Sequence, residues 1–338
     1  MAKISIVEAL NQAIMEEMER DERVFCLGED ISDADGGYGG AFAVTRGLHA
    51  KFGYDRVLNT PISEILIGGM AVGAAMTGMR PIADLQYGDF LFCCMDQMVN
   101  QAAKMCYMSG GRVNVPMVMR APVGATGRGA QHGQSLEGFF THVPGLKVIC
   151  PATAYDAKGL LKTAIRDDNP VLVFEHKLLY GGKRKEKEAL STVSEVPDGE
   201  YTIPFGEATV RREGKDITIV ANLFMMYCAM DAAAALDQEG ISCEVIDPRT
   251  LVPFDYETVV TSLQKTGRLM IVHEDNYRNG WGAQLSSYIA ENEIYLLDAP
   301  IKRLAAYDVP IPCAPIMEKF VIPSADRIIA AARSLMVE

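Results

Sequence analysis

The sequence predicts an α/β fold of two domains, with a mostly parallel sheet covered by helices on both faces. Three observations carry this. Candidate strands alternate with candidate helices along most of the chain, the pattern of βαβ units. A chain of 338 residues is long for one core and suits two. The stretch 181–203, GGKRKEKEALSTVSEVPDGEYTI, is charged and has no hydrophobic period, which places a linker between domains 1–180 and 204–338.

The elements follow in order. Ser5 and Glu8 have the spacing of a capping box, and Val7, Leu10, Ile14 and Met18 recur at helical spacing, so 5–20 is an amphipathic helix. Residues 23–28 are a short strand. Residues 29–40, EDISDADGGYGG, read as a loop, either a surface turn or a segment beside a ligand site. A helix is expected over 42–51 and a strand over 57–59. Pro61 fixes its own φ and pushes Thr60 extended, which ends that strand. Ser63 is the expected N-cap of a helix over 63–78, with Glu64 at its mouth and Gly68, Gly69, Ala71, Gly73, Ala74 and Ala75 along it. Glycines cost helix stability, so several together imply that something packs close to the backbone; a helix of a partner subunit is expected there. A strand over 80–85, a long helix over 89–108, a buried strand over 115–121 and a glycine-rich loop over 122–135 come next. The domain closes with a strand over 146–150, a helix over 154–166 and a strand over 171–175. The second domain repeats the alternation, with strands at 216–221, 242–247, 268–273 and 301–305. Its helices are expected near 223–239, 255–265, 281–291 and 324–336.

Composition excludes several classes. A net charge of −12 argues against nucleic acid, which requires clustered Lys and Arg. No apolar run is long enough to span a bilayer, and the amphipathic N-terminal helix lacks a signal peptide's apolar core, so a cytoplasmic protein is expected. None of the eight cysteines sits in a CxxC pair, and most lie in apolar runs as small hydrophobes. The glycines at 36–40, GGYGG, do not open an evident helix, which weakens a nucleotide-binding oxidoreductase reading.

The stretch 59–90, NTPISEILIGGMAVGAAMTGMRPIADLQYGDF, resembles the β subunit of the thiamine-diphosphate-dependent first component of 2-oxo acid dehydrogenase complexes. Pyruvate, branched-chain 2-oxo acid and acetoin dehydrogenases share it. The resemblance continues through DQMVNQAAKMCYMSGG, through GAQHGQSLEGFFTHVPGLKVICPATAYDAKGLLKTAIRDDNPVLVFEHKLLYG, and through IDPRTLVPFD with VHEDN. It implies a pyrimidine-binding domain followed by a transketolase C-terminal-like domain. It also implies an α2β2 heterotetramer with an α subunit, and transfer of an acyl group to the lipoyl group of an acyltransferase second component. The substrate would be a 2-oxo acid or acetoin. A catalytically silent scaffold subunit is the alternative, and retention of Glu64, Phe90 and His132 counts against it.

The resemblance also assigns roles. Glu64 matches the carboxylate that bonds a pyrimidine nitrogen of the cofactor, favouring the tautomer whose imino group takes the thiazolium proton. A glutamate at a helix N-terminus also serves the helix dipole. Phe90 matches the aromatic on which the pyrimidine stacks, and Gln86, four residues earlier, lines the same pocket. His132, in GAQHGQS, matches a histidine facing the substrate end of the cofactor; seen alone, it is an ordinary polar loop residue. A potassium ion is implied at Met117, Ala164, Ile165, Asp167 and Asn169, mostly through main-chain oxygens, where composition alone reads a helix stop. The Gly-Asp-Gly…Asn segment that holds Mg²⁺ and the diphosphate is missing, which implies that the α subunit brings that half of the site. His142, His176 and His273 are expected to be structural. Two positions depart from the family: Gly133 stands where relatives often carry Ser, and Ala283-Gln284 where many carry Ala-Glu.

Overall fold

The computed structural model describes residues 2–34, 37–181 and 192–337. The chain divides into two compact units. The first runs to Val123 and resumes over Phe140–Phe205; the second takes Gly124–Phe139 and everything from Gly206 onward.

The elements up to residue 205 are β1 (Ala2–Ile4), α1 (Ile6–Arg20), β2 (Val24–Gly28), α2 (Leu48–Phe52), β3 (Val57–Asn59), α3 (Glu64–Met76), β4 (Arg80–Asp84), α4 (Ala103–Met108), β5 (Val118–Val123), α5 (Glu137–Thr141), β6 (Lys147–Ile149), α6 (Ala154–Arg166), β7 (Val171–His176) and β8 (Ser194–Val196). Strands β6, β7, β5, β4, β2 and β3 lie side by side in that order, all parallel. β2, β5 and β7 are buried along their whole length, as expected of strands covered on both faces. The Ser5–Glu8 capping box is complete: the Glu8 amide donates to Ser5 Oγ at 3.3 Å and the Ser5 amide to Glu8 Oε2 at 2.8 Å. Helix α1 packs on α6, and the contact carries charges. Lys158 and Lys162 donate to Glu16 at 2.6 and 2.8 Å, and Arg166 Nη2 bonds Glu17 Oε1 at 2.5 Å. Buried charge at a helix contact is tolerated because each group is paired.

Three expectations need correction. The helix over 42–51 shortens to α2, because Ala43 and Gly47 take φ of 61° and 82°, left-handed values that end a right-handed helix. The long helix over 89–108 is three pieces: a 3₁₀ turn at Gly88–Cys94, a π-helical turn at Asp96–Ala102, and α4. Gly88, the first residue of the 3₁₀ turn, sits so tightly on Val123 and Pro122 that an added Cβ would come within 2.7 Å of Val123 Cγ1. Of the stretch 181–203, residues 182–191 lie outside the described residues, while β8 pairs antiparallel with β1.

The second unit holds β9 (Thr209–Arg212), β10 (Ile217–Ala221), α7 (Leu223–Asp237), β11 (Cys243–Asp247), β12 (Thr250–Val252), α8 (Tyr256–Thr266), β13 (Leu269–Asn276), α9 (Gly282–Asn292), β14 (Lys302–Ala306), α10 (Pro315–Val321) and α11 (Ala325–Leu335). Its sheet runs β14-β13-β10-β11-β9, parallel except for β9 at the edge. Helices α7 and α11 pack on each other, and α8 and α9 cover β10 and β13. The segment Gly124–Phe139, which takes in most of the loop expected over 122–135 after a first-domain strand, is a limb of this unit. Ala125 lies in a buried cluster with Ala306, Ile311, Val321 and Ile322.

Candidate functional site

Along the first unit's sheet, three chain segments leave the carboxyl ends of neighbouring strands. Glu29 follows β2, Glu64 follows β3 at the start of α3, and Gln86 follows β4. The carboxyl edge of a parallel sheet is where open α/β folds place their ligands. Ser63 caps α3 by accepting from the Leu66 amide at 3.4 Å, which sets Glu64 in the first turn, half-buried. Burial, then the Asp30 and Glu64 carboxylates, raise the Glu29 carboxyl above its ordinary range. Phe90, half-buried in the 3₁₀ turn, meets Tyr87 edge-on with centroids 5.8 Å apart. That turn packs against α3: a Cβ added at Gly68 would lie 3.0 Å from Cys94 Cβ. The glycines of α3 therefore divide. Gly68 is explained by this chain's own turn, while nothing lies within 4 Å of a Cβ at Gly73. Ile65, Leu66 and Met70 expose apolar surface along the same helix, and Ile62, just ahead of its cap, is 78% exposed.

Sequence reasoning missed a buried network beneath this edge. Arg120, 1% exposed, reaches across β5 to both neighbours. Its Nε and Nη2 donate to the two Glu175 oxygens at 2.9 and 2.7 Å, its Nη1 to Asp84, and Tyr180 Oη donates to Glu175 Oε2 at 2.6 Å. One guanidinium serves two carboxylates, so burial outweighs its pull on Asp84 and pushes that carboxyl up to about 6. The available signal was polar residues inside apolar strand runs, VMRAPV and VLVFEH. Beside the network, Tyr38, Gly40, Phe42, Arg46, Lys177 and Tyr180 line a cavity of about 490 Å³, the first two from the loop expected over 29–40.

His132 lies in the second unit, half-buried. Its amide donates to Gly129 O at 3.4 Å. Gly133 follows because no side chain fits: a Cβ there would stand 2.8 Å from Gly129 O and 3.2 Å from Ile311 Cγ2. The residues expected to hold potassium gather at the opposite, amino edge of the first sheet. Met117 precedes β5, and Asp167 and Asn169 precede β7. Arg80 Nη1 already donates to Ile165 O at 3.0 Å and to Asp167 O at 2.9 Å; the Met117 carbonyl accepts from Val171 N at 2.9 Å. Asp167 Oδ1 accepts from Asn169 and Oδ2 from Lys147. The donor set is oxygen throughout, which suits a hard cation, and each carbonyl keeps a second lone pair.

Among the described residues no group of three or more His, Cys, Asp and Glu is placed to hold a metal. No helix among them is long and apolar enough to cross a membrane. None of the cysteines forms a disulfide, and burial pushes the thiols of Cys26, Cys94, Cys228 and Cys243 up to about 12, which keeps them inert. His273 is fully buried against Trp281, and burial lowers it to about 3, so it stays neutral.

Residues 2–183 match the family described as transketolase, pyrimidine binding domain, and residues 206–328 match transketolase, C-terminal domain. The chain is 49% identical to the β subunit of acetoin:2,6-dichlorophenolindophenol oxidoreductase of Cupriavidus necator, over 99% of this chain and 98% of that protein. It is 45% identical to the 2-oxoisovalerate dehydrogenase β subunit of Bacillus subtilis, over 99% of both. Against the pyruvate dehydrogenase E1 β subunit of Rickettsia felis it is 43% identical, over 98% of both. Among solved structures, a split-gene transketolase described as an inactive β4 tetramer shares the fold, with a TM-score of 0.77 at 24% identity over 99% of both chains.

Proposed function

The chain belongs to the β subunits of the first components of pyruvate, branched-chain 2-oxo acid and acetoin dehydrogenases, and on that premise we propose that it supplies the pyrimidine half of a thiamine-diphosphate site. The observation that carries the reading is the carboxyl edge of the first sheet, where Glu64 opens α3 and the Phe90 turn packs on that helix. The residues suit an aminopyrimidine: a carboxyl to bond a ring nitrogen, an aromatic ring to stack on, and the Gln86 amide to bond at the rim.

Bound there, thiamine diphosphate would supply the carbon nucleophile that attacks the 2-oxo acid or acetoin. Glu64 holds a proton against the ring nitrogen, Phe90 orients the ring, and α3 keeps water from the carboxyl's apolar side. His132 donates to negative charge developing at the substrate and moves protons during acyl transfer to a lipoyl group. Mg²⁺ and the diphosphate belong to the α subunit of an α2β2 assembly, which covers the exposed Ile62, Ile65 and Met70 face and the open backbone at Gly73. A potassium ion at Met117, Ala164, Ile165, Asp167 and Asn169 has a structural part only, because it sits at the edge opposite Glu64.

The test is reconstitution. Co-expressed with an α subunit, the chain gives thiamine-diphosphate-dependent reduction of an artificial acceptor with a 2-oxo acid or acetoin. The purified chain alone gives none, and full activity from it alone contradicts the proposal.

A further inference from the structure

The loop that carries His132 is held at both ends by two consecutive carboxylates. Ala125 N donates to Glu274 Oε1 at 2.5 Å, and Gly138 N donates to Asp275 Oδ2 at 2.8 Å. Both acids lie at the end of β13 and are 5% exposed. Successive strand residues project to opposite sides, so adjacent carboxylates can reach separate points of one loop. Asp275 is anchored in turn, its Oδ1 accepting from the Asn276 amide at 2.8 Å. One further tie runs the same way, from Gly127 N to Glu318 Oε2 at 2.7 Å, and one runs in reverse, the segment's own Glu137 Oε1 accepting from Asn222 Nδ2 at 3.3 Å.

The arrangement costs stability. Burial and the neighbouring Asp275 and Glu274 carboxylates push Glu137 up to about 8, and burial pushes Asp275 to about 6. Acids gathered in one buried place are unfavourable unless they hold something. Here Glu274 and Asp275 hold backbone amides of one loop, and such charge-assisted bonds are the strong kind.

We propose that Glu274 and Asp275 are positioning residues for His132: their carboxylates clamp the two ends of its loop and so set where its imidazole stands during the reaction. The proposal rests on the role given to His132 above and adds what fixes that role in space.

The experiment uses the enzyme assembled with its α subunit, carrying Glu274→Ala, Glu274→Gln, His132→Ala, or Glu274→Ala with His132→Ala. Amide hydrogen exchange over 124–139 is read together with single-turnover rates of decarboxylation and of reductive acylation. The clamp predicts faster exchange in that loop for Glu274→Ala. It predicts reductive acylation slowed about tenfold or more, the scale of one hydrogen bond to a charged group, with decarboxylation slowed much less. Glu274→Gln keeps an acceptor for Ala125 N and restores most of the rate. In the His132→Ala background, Glu274→Ala causes no further loss, because the two act through one group. Losses that multiply in the double variant, equal losses in both half-reactions, or unchanged loop exchange overturn the proposal. No loss in His132→Ala alone overturns it through its premise, and the loop exchange then tells that failure from failure of the clamp. Should Glu274→Ala not assemble, Asp275→Asn, which gives up one of the two acceptors serving Gly138 and Asn276, is read by the same measurements.

Discussion

Arg120 and Glu175 form a two-pronged pair between adjacent parallel strands, at 2.9 and 2.7 Å, with each side chain 1% exposed. Removing Glu175 takes a two-pronged partner from the buried guanidinium, which keeps only Asp84, and leaves Tyr180 Oη without this acceptor; replacing both members removes the buried Arg120 charge as well and strands Asp84 alone. Glu175→Leu is therefore expected to lower stability by about 3–5 kcal/mol, and Arg120→Leu with Glu175→Leu by clearly less than the sum of the singles. Denaturant unfolding at unchanged m checks this. Simple additivity would mean that the pair is not energetically coupled.

Glu137 gives the second unit a signature in pH. Its folded pKa, about 8, lies above its ordinary value of 4.5, mainly through burial and then Asp275. Between those values the folded state keeps a proton that the unfolded state has lost. Its contribution to stability is thus complete below about 4.5 and is lost as pH rises towards 8, at about 1.4 kcal/mol per unit. Glu137→Gln should flatten the stability profile between pH 5 and 8 by about that slope. A profile as steep as wild type would place the proton elsewhere.

His132→Ala should separate the two half-reactions. In the proposed roles the imidazole serves proton and charge movement in acyl transfer, while the residues proposed to contact the pyrimidine lie on the first sheet. Cofactor affinity should hardly change, and reductive acylation should fall more than decarboxylation followed with an artificial oxidant. Single-turnover rates on the assembled variant decide it; no loss in either step would leave His132 an ordinary polar loop residue.

Much of the fold was legible because its signals are local. Ser5 with Glu8, and Ser63 ahead of an apolar run, make caps that form as written. The buried strands announce themselves by apolar runs bounded by turn residues. What escaped depends on contacts between distant residues. Nothing near 89–108 shows that Gly88 will seat against Val123 or that the stretch will wind as three pieces. Nothing near 124–139 shows that Glu274 and Asp275, more than a hundred positions later, will claim the loop for the second unit. Glu64, Gln86, Phe90 and His132 could be picked out only through family resemblance, since a helix-terminal glutamate and a loop histidine are commonplace alone. Arg120 and Glu175 were passed over because a charge inside an apolar strand betrays its importance only once its partner on the next strand is known.

In the proposed site Glu64 holds the proton that prepares the cofactor, and hydrogen–deuterium exchange at the cofactor's reactive carbon reads whether it does. Glu64→Gln keeps size and helix position and removes the acid, so the variant should still assemble with its α subunit and bind thiamine diphosphate. Exchange at that carbon, and turnover with it, should drop by roughly 10²–10⁴-fold, the range for loss of a positioned acid or base. Exchange at the wild-type rate in the assembled variant would contradict the account.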